Sequence, residues 1–179
     1  MSLPLVILLN GPLGIGKSTL GEALGEAIER SVTLDGDSLA ALNPPPADEI
    51  TELHETLALL VAYHLRSGYD RFIINHYWRS AGELEDLSLR IRAIAPGASV
   101  RAFRLTLPHE ANLRRIAQRQ AARAIDESEF EATTFGEEFA LLFGAGSDLG
   151  EPFDVSDPPE RLVGRLLRLL RSELAANRN

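Results

Sequence analysis

Short apolar runs alternate with longer amphipathic segments along the whole chain. The first run, residues 3–9 (LPLVILL), is too short for a helix and rich in branched aliphatic residues, so it predicts a strand buried on both faces. Residues 17–30 carry apolar side chains at helical spacing and follow a glycine-containing loop. The chain is therefore predicted to open with a strand, a loop and a helix.

The rest of the chain repeats this alternation. Four more apolar runs predict strands, at residues 32–34, 71–75, 100–107 and 153–155. Five more amphipathic segments predict helices, at residues 48–66, 83–95, 108–124, 127–143 and 158–176. Strands that alternate with helices pair in parallel through right-handed crossovers, so the pattern predicts a three-layer α/β fold with a five-stranded parallel sheet. Because no repeat or linker interrupts it, residues 1–179 are expected to form one domain.

Composition and charge exclude several classes of protein. The chain has 179 residues, of which 45% are hydrophobic and 25% charged, as in ordinary globular domains. Its net charge of −8 argues against general nucleic-acid binding but leaves room for a local basic site. Without cysteine there are no disulfides, thiolate zinc sites or cysteine nucleophiles. No apolar run reaches the roughly 20 residues of a membrane span, and no basic segment precedes the first run, so a cytoplasmic protein without membrane attachment is expected.

The loop after the first strand carries a phosphate-binding motif. Residues 11–18 spell GPLGIGKS, which matches G-x-x-x-x-G-K-[ST], and the motif lies between a predicted buried strand and a predicted helix, as it should. Glycines let the backbone curl so that its N–H groups form a nest for phosphate oxygens, and the following helix presents its positive end to the same anion. The residues predicted to bind ATP phosphates are Gly11, Pro12, Leu13, Gly14, Ile15, Gly16, Lys17, Ser18 and Thr19.

Lys17 is the only lysine among 18 basic residues. A compact ammonium on a flexible stem can follow the β- and γ-phosphates, whereas the planar fork of arginine fits that position poorly. The next residue, Ser18, offers a hydroxyl to Mg²⁺. Because the chain has no second lysine, it lacks the N-K-x-D motif that reads guanine, which argues against a guanine-specific switch.

Two aspartates, Asp35 and Asp37, follow the predicted second strand. If the strand stays extended through them, both carboxylates share a face at the carboxyl edge of the sheet, where open α/β sheets bind ligands. Phosphoryl transfer to a hydroxyl needs a carboxylate that orients the hydroxyl, and Mg²⁺ needs acidic anchorage, for which Asp35 is the candidate. The alternative is a simple turn, since Asp-Gly is a common turn pair.

These segments resemble a known group. GPLGIGKST, followed about 15 residues later by LDGDSL, is similar to the P-loop small-molecule kinases, which include shikimate and gluconate kinases and adenylylsulfate kinase. The resemblance is strongest to chloramphenicol phosphotransferases, in length, in the ILLNG segment before the loop and in D-S-L after the second strand. It implies a P-loop NTPase fold with a helical lid, and transfer of the γ-phosphoryl group of ATP, with Mg²⁺, to a hydroxyl of a small molecule. It also implies that Asp37 is the base.

The third predicted strand departs from the group. Its kinases often end this strand with an aspartate that helps to hold Mg²⁺, but here the strand ends in Asn75. Mg²⁺ would then depend on Ser18, the phosphates and the second-strand aspartates Asp35 and Asp37. This departure keeps open an alternative, in which the protein is a catalytically weak or inactive nucleotide-binding module.

An arginine-rich segment follows the fourth predicted strand. Residues 111–125 contain Arg114, Arg115, Arg119 and Arg123 and no acid. In P-loop kinases a lid in this position supplies arginines to the transferring phosphoryl group, so a lid at about 112–130 is expected, with Arg119 and Arg123 as catalytic residues. The alternatives are a solvated helix face and the basic footprint of a nucleic-acid end kinase, although the overall charge disfavours a nucleic-acid partner.

The acceptor pocket is predicted around the end of the third strand. His76, Trp78 and Arg79 follow that strand and, together with Asp37, are candidates to contact a small-molecule hydroxyl acceptor. For Trp78, a place in the core is an equally strong interpretation. The four histidines show no metal-ligand spacing, which argues against zinc.

Overall fold

The computed structural model describes residues 3–39, 41–121, 128–144 and 148–175. Five strands run through it: β1 (Leu5–Asn10), β2 (Ser31–Asp35), β3 (Arg71–His76), β4 (Ser99–Thr106) and β5 (Glu151–Asp154). The helices are α1 (Lys17–Ala27), α2 (Glu49–Arg66), α3 (Ala81–Ile94), α4 (His109–Ala121), α5 (Ser128–Gly144), α6 (Pro159–Leu169) and α7 (Arg171–Ala175).

The strands form one parallel sheet in the order β2-β3-β1-β4-β5. Leu5 of the central strand β1 is in register with Arg71 of β3 on one side and with Ser99 of β4 on the other. Every residue of β1 is buried, which confirms the predicted strand with two covered faces. Since all strands run the same way, their carboxyl ends meet at a single edge of the sheet.

Helices cover both faces of the sheet. Ile7 and Leu9 pack toward the layer that contains α1 and α6, whereas Val6 and Leu8 pack toward the layer that contains α2 and α3. This alternation follows from the two-residue period of a strand, which sends successive side chains to opposite faces. The predicted three-layer α/β fold with a five-stranded parallel sheet is therefore confirmed.

Side-chain caps fix the helix starts that border the carboxyl edge. The Asp48 carboxylate accepts a hydrogen bond from the backbone N–H of Thr51 (3.1 Å) at the start of α2. At the start of α3, Ser80 accepts from the N–H of Glu83 (3.2 Å), and Glu83 accepts from the N–H of Arg79 (2.6 Å). Caps of this kind stabilise a helix by about 1 kcal/mol each and hold its first turn in place.

The predicted last helix is two helices in the structure. α6 ends at Leu169, α7 begins at Arg171, and Leu170 between them is fully buried in the core. Backbone hydrogen bonds continue across the break, from the N–H of Leu170 to Leu166 and from the N–H of Leu174 to Leu170. Among the described residues no helix is both long and apolar enough to cross a membrane.

Candidate functional site

The phosphate-binding motif lies at the carboxyl end of β1, in the middle of the sheet edge. Gly14 (φ 74°) and Gly16 (φ 104°) adopt the left-handed conformation that side chains other than glycine rarely tolerate. The loop therefore curls back on itself, and α1 begins immediately after it at Lys17. Gly16, which precedes α1, has no side chain with which to cap the helix, so the positive end of α1 faces the loop, where an anion is favoured.

Lys17 folds back over the loop. Its side chain is buried, at 8% exposure, and its ammonium donates to the carbonyl oxygens of Gly11 (2.7 Å) and Pro12 (3.3 Å). The positive charge is thus held against the backbone of the loop, where incoming phosphate oxygens can replace the carbonyl partners.

Ser18 and Asp35 join the first turn of α1 to the end of β2. The Ser18 hydroxyl donates to Oδ2 of Asp35 (2.6 Å), and Oδ1 of Asp35 accepts from the backbone N–H of Asp37 (3.1 Å). A hydroxyl beside a carboxylate is a set of hard oxygen donors, which is the chemistry that Mg²⁺ prefers. These two predicted metal ligands are therefore adjacent, and their donor atoms fit the ion.

Asp37 lies in a turn beyond the strand. β2 ends at Asp35, and residues 36 and 37 form a turn, so the two aspartates do not share a face of an extended strand as predicted. The Asp-Gly turn forms here because the Asp35 carboxylate accepts the hydrogen bond of the Asp37 N–H and so stabilises the turn. Asp37 nevertheless reaches the carboxyl edge, since the N–H of Gly36 still donates to the carbonyl of Asn75 (2.8 Å).

Asp37 and His76 form a hydrogen-bonded pair. Oδ1 of Asp37 lies 2.8 Å from Nδ1 of His76, and the Asp37 side chain is 56% exposed. Partial desolvation raises the pKa of Asp37, but the hydrogen bond from His76 and the charge of Lys17 lower it by more, so its pKa lies below the usual value. The carboxylate consequently stays ionised down to acidic pH.

A cleft of about 800 Å³ opens beside the loop, between the end of β3 and the first turns of α2. Four of the residues that line it are Lys17, Asp37, His76 and Arg79, all predicted from the sequence. Tyr77 lines it as well, and burial together with nearby acids such as Glu138 raises the pKa of its phenol to about 12. Lys17 of the phosphate loop and three of the four predicted acceptor residues thus face one cavity.

Trp78 is a correction to the predicted acceptor pocket. It is completely buried in the core and does not line the cleft. Its backbone N–H binds the side chain of Asn10 (3.0 Å), and its indole N–H donates to Nε2 of His54 (3.1 Å). Both N–H donors point inward, and the Trp78 ring packs against His76 of the cleft in an edge-to-face arrangement, at 5.4 Å between centroids.

Asn75 is buried between the sheet and α1. It is 1% exposed, and neither its amide nitrogen nor its amide oxygen has a hydrogen-bond partner among the described residues. A Cβ at Gly21 of α1 would lie only 2.6 Å from each of those two atoms. The side chain that replaces the usual aspartate is therefore covered by α1.

Two contacts with the loop were not foreseen from the sequence. Glu138 of α5 accepts a hydrogen bond from the backbone N–H of Leu13 (2.6 Å). Arg115 of α4 donates to the carbonyl oxygens of Ile15 and Val155, both at 2.9 Å. Arg115 belonged to the arginine cluster, but only the packing of α4 reveals its partners, and nothing in the local sequence marks Glu138.

The remaining lid predictions stay predictions. Arg119 lies in the last turns of α4, but its side chain is outside the described residues. Arg123 and the segment that joins α4 to α5 are also outside them. Within the described part of the chain, no group of three His, Asp or Glu side chains forms a metal site by itself.

Sequence comparison places the chain in a family. A family model described as the AAA domain matches residues 6–138, which include the phosphate loop, the Asp37–His76 pair and Glu138. The chain belongs to the AAA domain family. A search of curated proteins finds no significant match for this AAA domain protein.

Solved structures share its fold. A sugar kinase from Janibacter sp. HTCC2649 is 18% identical, with a TM-score of 0.70 over 99% of this chain and 99% of that one. A gluconokinase from Sinorhizobium meliloti 1021 is 20% identical, with a TM-score of 0.63 over 98% and 93%. The Pnkp1/Rnl/Hen1 RNA repair complex matches at 15% identity and a TM-score of 0.60, over 80% of this chain and 46% of that one. The AAA domain protein therefore has the fold of the P-loop kinases.

Proposed function

We propose that this protein is an ATP-dependent phosphotransferase that moves the γ-phosphoryl group of ATP to a hydroxyl of a small molecule. One observation carries the proposal: Lys17 of the phosphate loop and the Asp37–His76 pair line the same cleft. A donor phosphate in the loop and an acceptor hydroxyl on Asp37 would then meet within one cavity. The small-molecule kinases among the structures of the same fold agree with this function.

The loop holds the donor. The N–H groups that follow Gly14 and the open start of α1 bind the phosphates, and Lys17 leaves the carbonyl oxygens of Gly11 and Pro12 for phosphate oxygens. Ser18 and Asp35 would hold Mg²⁺, which neutralises charge on the phosphates when bound. Catalysis in this arrangement comes from positioning and electrostatics.

Asp37 orients the acceptor. One carboxylate oxygen is held by His76, and the other accepts the hydrogen bond of the acceptor hydroxyl. The hydroxyl oxygen bonds to the γ-phosphorus while the bond from that phosphorus to the bridging oxygen breaks, ADP keeps that electron pair, and the hydroxyl proton passes to Asp37. Because its pKa is low, the carboxylate acts mainly by orientation and takes the proton late in the step.

α4 would bring arginine to the transferring phosphoryl group. Arg115 anchors this helix on the loop, and Arg119 follows it four positions later in the sequence of the same helix. Arg119 and, beyond it, Arg123 are the proposed ligands of the γ-phosphoryl group in flight. Arginine suits that role because its fork contacts two phosphate oxygens at once.

The test is a screen for acceptors. The purified protein with ATP and Mg²⁺ is incubated with neutral, anionic and amine-bearing polyols, phenicols and aminoglycosides, while ATP consumption is measured. At least one acceptor should accelerate consumption, and its phosphorylated product should appear by mass spectrometry. Tight ATP binding with no transfer across the whole panel would instead favour the second candidate function, an inactive nucleotide-binding module. The observation behind that candidate is Asn75, a neutral and buried side chain at the end of the third strand.

The cleft disfavours a nucleic-acid acceptor. Its acidic lining residues outnumber Lys17 and Arg79, and they are Asp37, Asp48, Glu49, Glu52, Glu83 and Glu138. A polyanion would meet repulsion along this wall, although one structure of the same fold is an RNA repair complex. We therefore expect no salt-dependent binding of short DNA or RNA ends, measured by fluorescence anisotropy.

A further inference from the structure

A backbone N–H of the phosphate loop, that of Leu13, is hydrogen-bonded to a carboxylate of the protein itself, that of Glu138. Oε2 of Glu138 accepts the hydrogen bond of the Leu13 N–H at 2.6 Å, across 125 residues of sequence. A carboxylate is a stronger acceptor for a backbone N–H than a neutral group is. Glu138 is half-buried and also lines the cleft.

The charges around Glu138 are those expected around a transferring phosphate. Lys17 and Arg79 attract its carboxylate, whereas Asp37 repels it. The phenol of Tyr77 is nearby and remains neutral. A carboxylate on a backbone N–H of the loop, beside the loop lysine and on the side of Asp37, resembles a phosphate oxygen in both charge and partners.

The position indicates which phosphate is mimicked. Leu13 lies on the cleft side of the loop, together with Lys17 and Asp37, whereas the N–H groups after Gly14 lead into the start of α1. Only the phosphoryl group that is transferred has to face Asp37 and the acceptor. The α- and β-phosphates of ADP have no such requirement and can remain at the helix start.

We propose that Glu138 occupies the γ-phosphate position of the nucleotide-free loop and competes with ATP, but not with ADP, for that position. The inference rests on the proposed function, since it takes the cleft side of the loop as the γ-phosphate side. Two anions cannot share the Leu13 N–H, so ATP displaces the Glu138 carboxylate and ADP leaves it in place. The competition lowers the affinity for ATP relative to that for ADP.

Displacement of Glu138 also releases α5 from the loop. α5 remains paired with α4, because Phe135 and Phe139 pack around the ring of His109, at 5.3 and 4.8 Å between centroids. α4 keeps its own anchor through Arg115. The γ-phosphate therefore changes how the α4–α5 pair is tied to the nucleotide site.

The experiment compares two nucleotides on three proteins. Calorimetry measures the affinity of a non-hydrolysable ATP analogue and of ADP, each with Mg²⁺, for the wild type, for Glu138→Gln and for the control Glu137→Gln. Glu137 is the exposed neighbour of Glu138 on α5, and Glu137→Gln removes the same charge from the protein. We expect Glu138→Gln to bind the ATP analogue about tenfold more tightly and ADP within about twofold of the wild type, with no change in the control.

The pH dependence gives a second readout. Partial desolvation raises the pKa of Glu138, outweighing the Leu13 N–H and the charge of Lys17, so its carboxylate becomes neutral above the usual pH for glutamate. A neutral group does not repel the γ-phosphate. The advantage of Glu138→Gln over the wild type should therefore shrink as the pH falls through that pKa.

Equal changes for both nucleotides, or weaker binding of the ATP analogue, would show that Glu138 only supports the loop and would overturn the proposal. Glu138→Ala must give the same selective gain, since it also removes the charge, and thermal melting verifies that each variant is folded. Binding is measured without acceptor, so these results do not depend on catalysis. If the wild type binds neither nucleotide, the proposed function itself fails.

Discussion

At the scale of single residues, the proposed acceptor side of the site rests on Asp37. Its carboxylate stands in a turn, with one oxygen held by His76. We expect Asp37→Asn to leave ATP affinity within about threefold of the wild type and to lower kcat by about 10²- to 10⁴-fold, because the neutral amide orients the hydroxyl less strongly and cannot take its proton. Steady-state kinetics with calorimetric ATP titration check this, and full turnover in the variant would rule out the assigned role.

His76 lowers the pKa of Asp37 through a hydrogen bond and through its charge. Removing its hydrogen bond and charge takes away two influences that lower the pKa of Asp37, so His76→Phe, which has no donor, should raise that pKa toward the ordinary value for aspartate. The acidic limb of kcat/KM should move to higher pH in the same variant. Carbon-detected NMR titration of the Asp37 carboxyl group measures the shift directly, with Asp48 as an internal reference. An unchanged pKa would mean that the pair has no electrostatic role.

Single residues also show where a local sequence pattern is enough to predict the structure and where it is not. Gly11 to Ser18 form one contiguous motif, and the curled loop with Lys17 inside it has the predicted form. Trp78 has no such local signal, because whether a residue after a strand faces a cavity or the core depends on what packs there. In this protein Trp78 faces the core, where its backbone N–H donates to Asn10 and its indole N–H donates to His54.

At the scale of elements, α1 packs tightly on β3. A methyl group at Gly21 would lie 2.6 Å from both amide atoms of Asn75, so Gly21→Ala should destabilise the protein by about 1–3 kcal/mol. Gly136→Ala is the matched control, since Gly136 is also helical and nothing lies within 4 Å of the added methyl group. That control should be neutral or stabilising by up to about 1 kcal/mol.

Urea unfolding followed by circular dichroism measures both glycine variants. A Gly21→Ala protein as stable as the wild type would mean that α1 can move away from the sheet at little cost. In that case the buried amide of Asn75 would no longer explain why glycine occupies position 21.

Elements are also where most of the predictions succeeded. The strand and helix periods are local properties, so β1, α2 and β3 lie within about two residues of their predicted bounds. The turn at Gly36 differs, because the Asp35 side chain competes with the backbone for the hydrogen bond that an extended strand would need.

At the scale of the whole molecule, the proposed nucleotide site lies at the end of β1, the central strand of the five-stranded sheet. Ligand binding there should stabilise the entire sheet. At 100 times its dissociation constant, ATP with Mg²⁺ should add about 2.7 kcal/mol to the free energy of unfolding, which corresponds to a rise of about 5–10 °C in Tm.

Differential scanning fluorimetry tests this shift. Lys17→Ala should have a Tm near that of the wild type without nucleotide, and ATP should raise its Tm only slightly. In the wild type the Lys17 ammonium exchanges the carbonyl oxygens of Gly11 and Pro12 for phosphate oxygens, and the variant has no ammonium to do so. Asp37→Asn should keep the full rise. A full rise in Lys17→Ala would argue against the loop as the nucleotide site.

The sequence by itself determined the alternation of strands and helices, the parallel sheet and the phosphate loop, because each depends on periodicity or on a contiguous motif. The tertiary structure decided that Asp37 pairs with His76, that Asn75 lies under α1 and that Glu138 reaches the Leu13 N–H. Those contacts join residues 39 to 125 positions apart. Such pairs form only through the packing of whole helices against the sheet edge, which no local pattern of residues encodes.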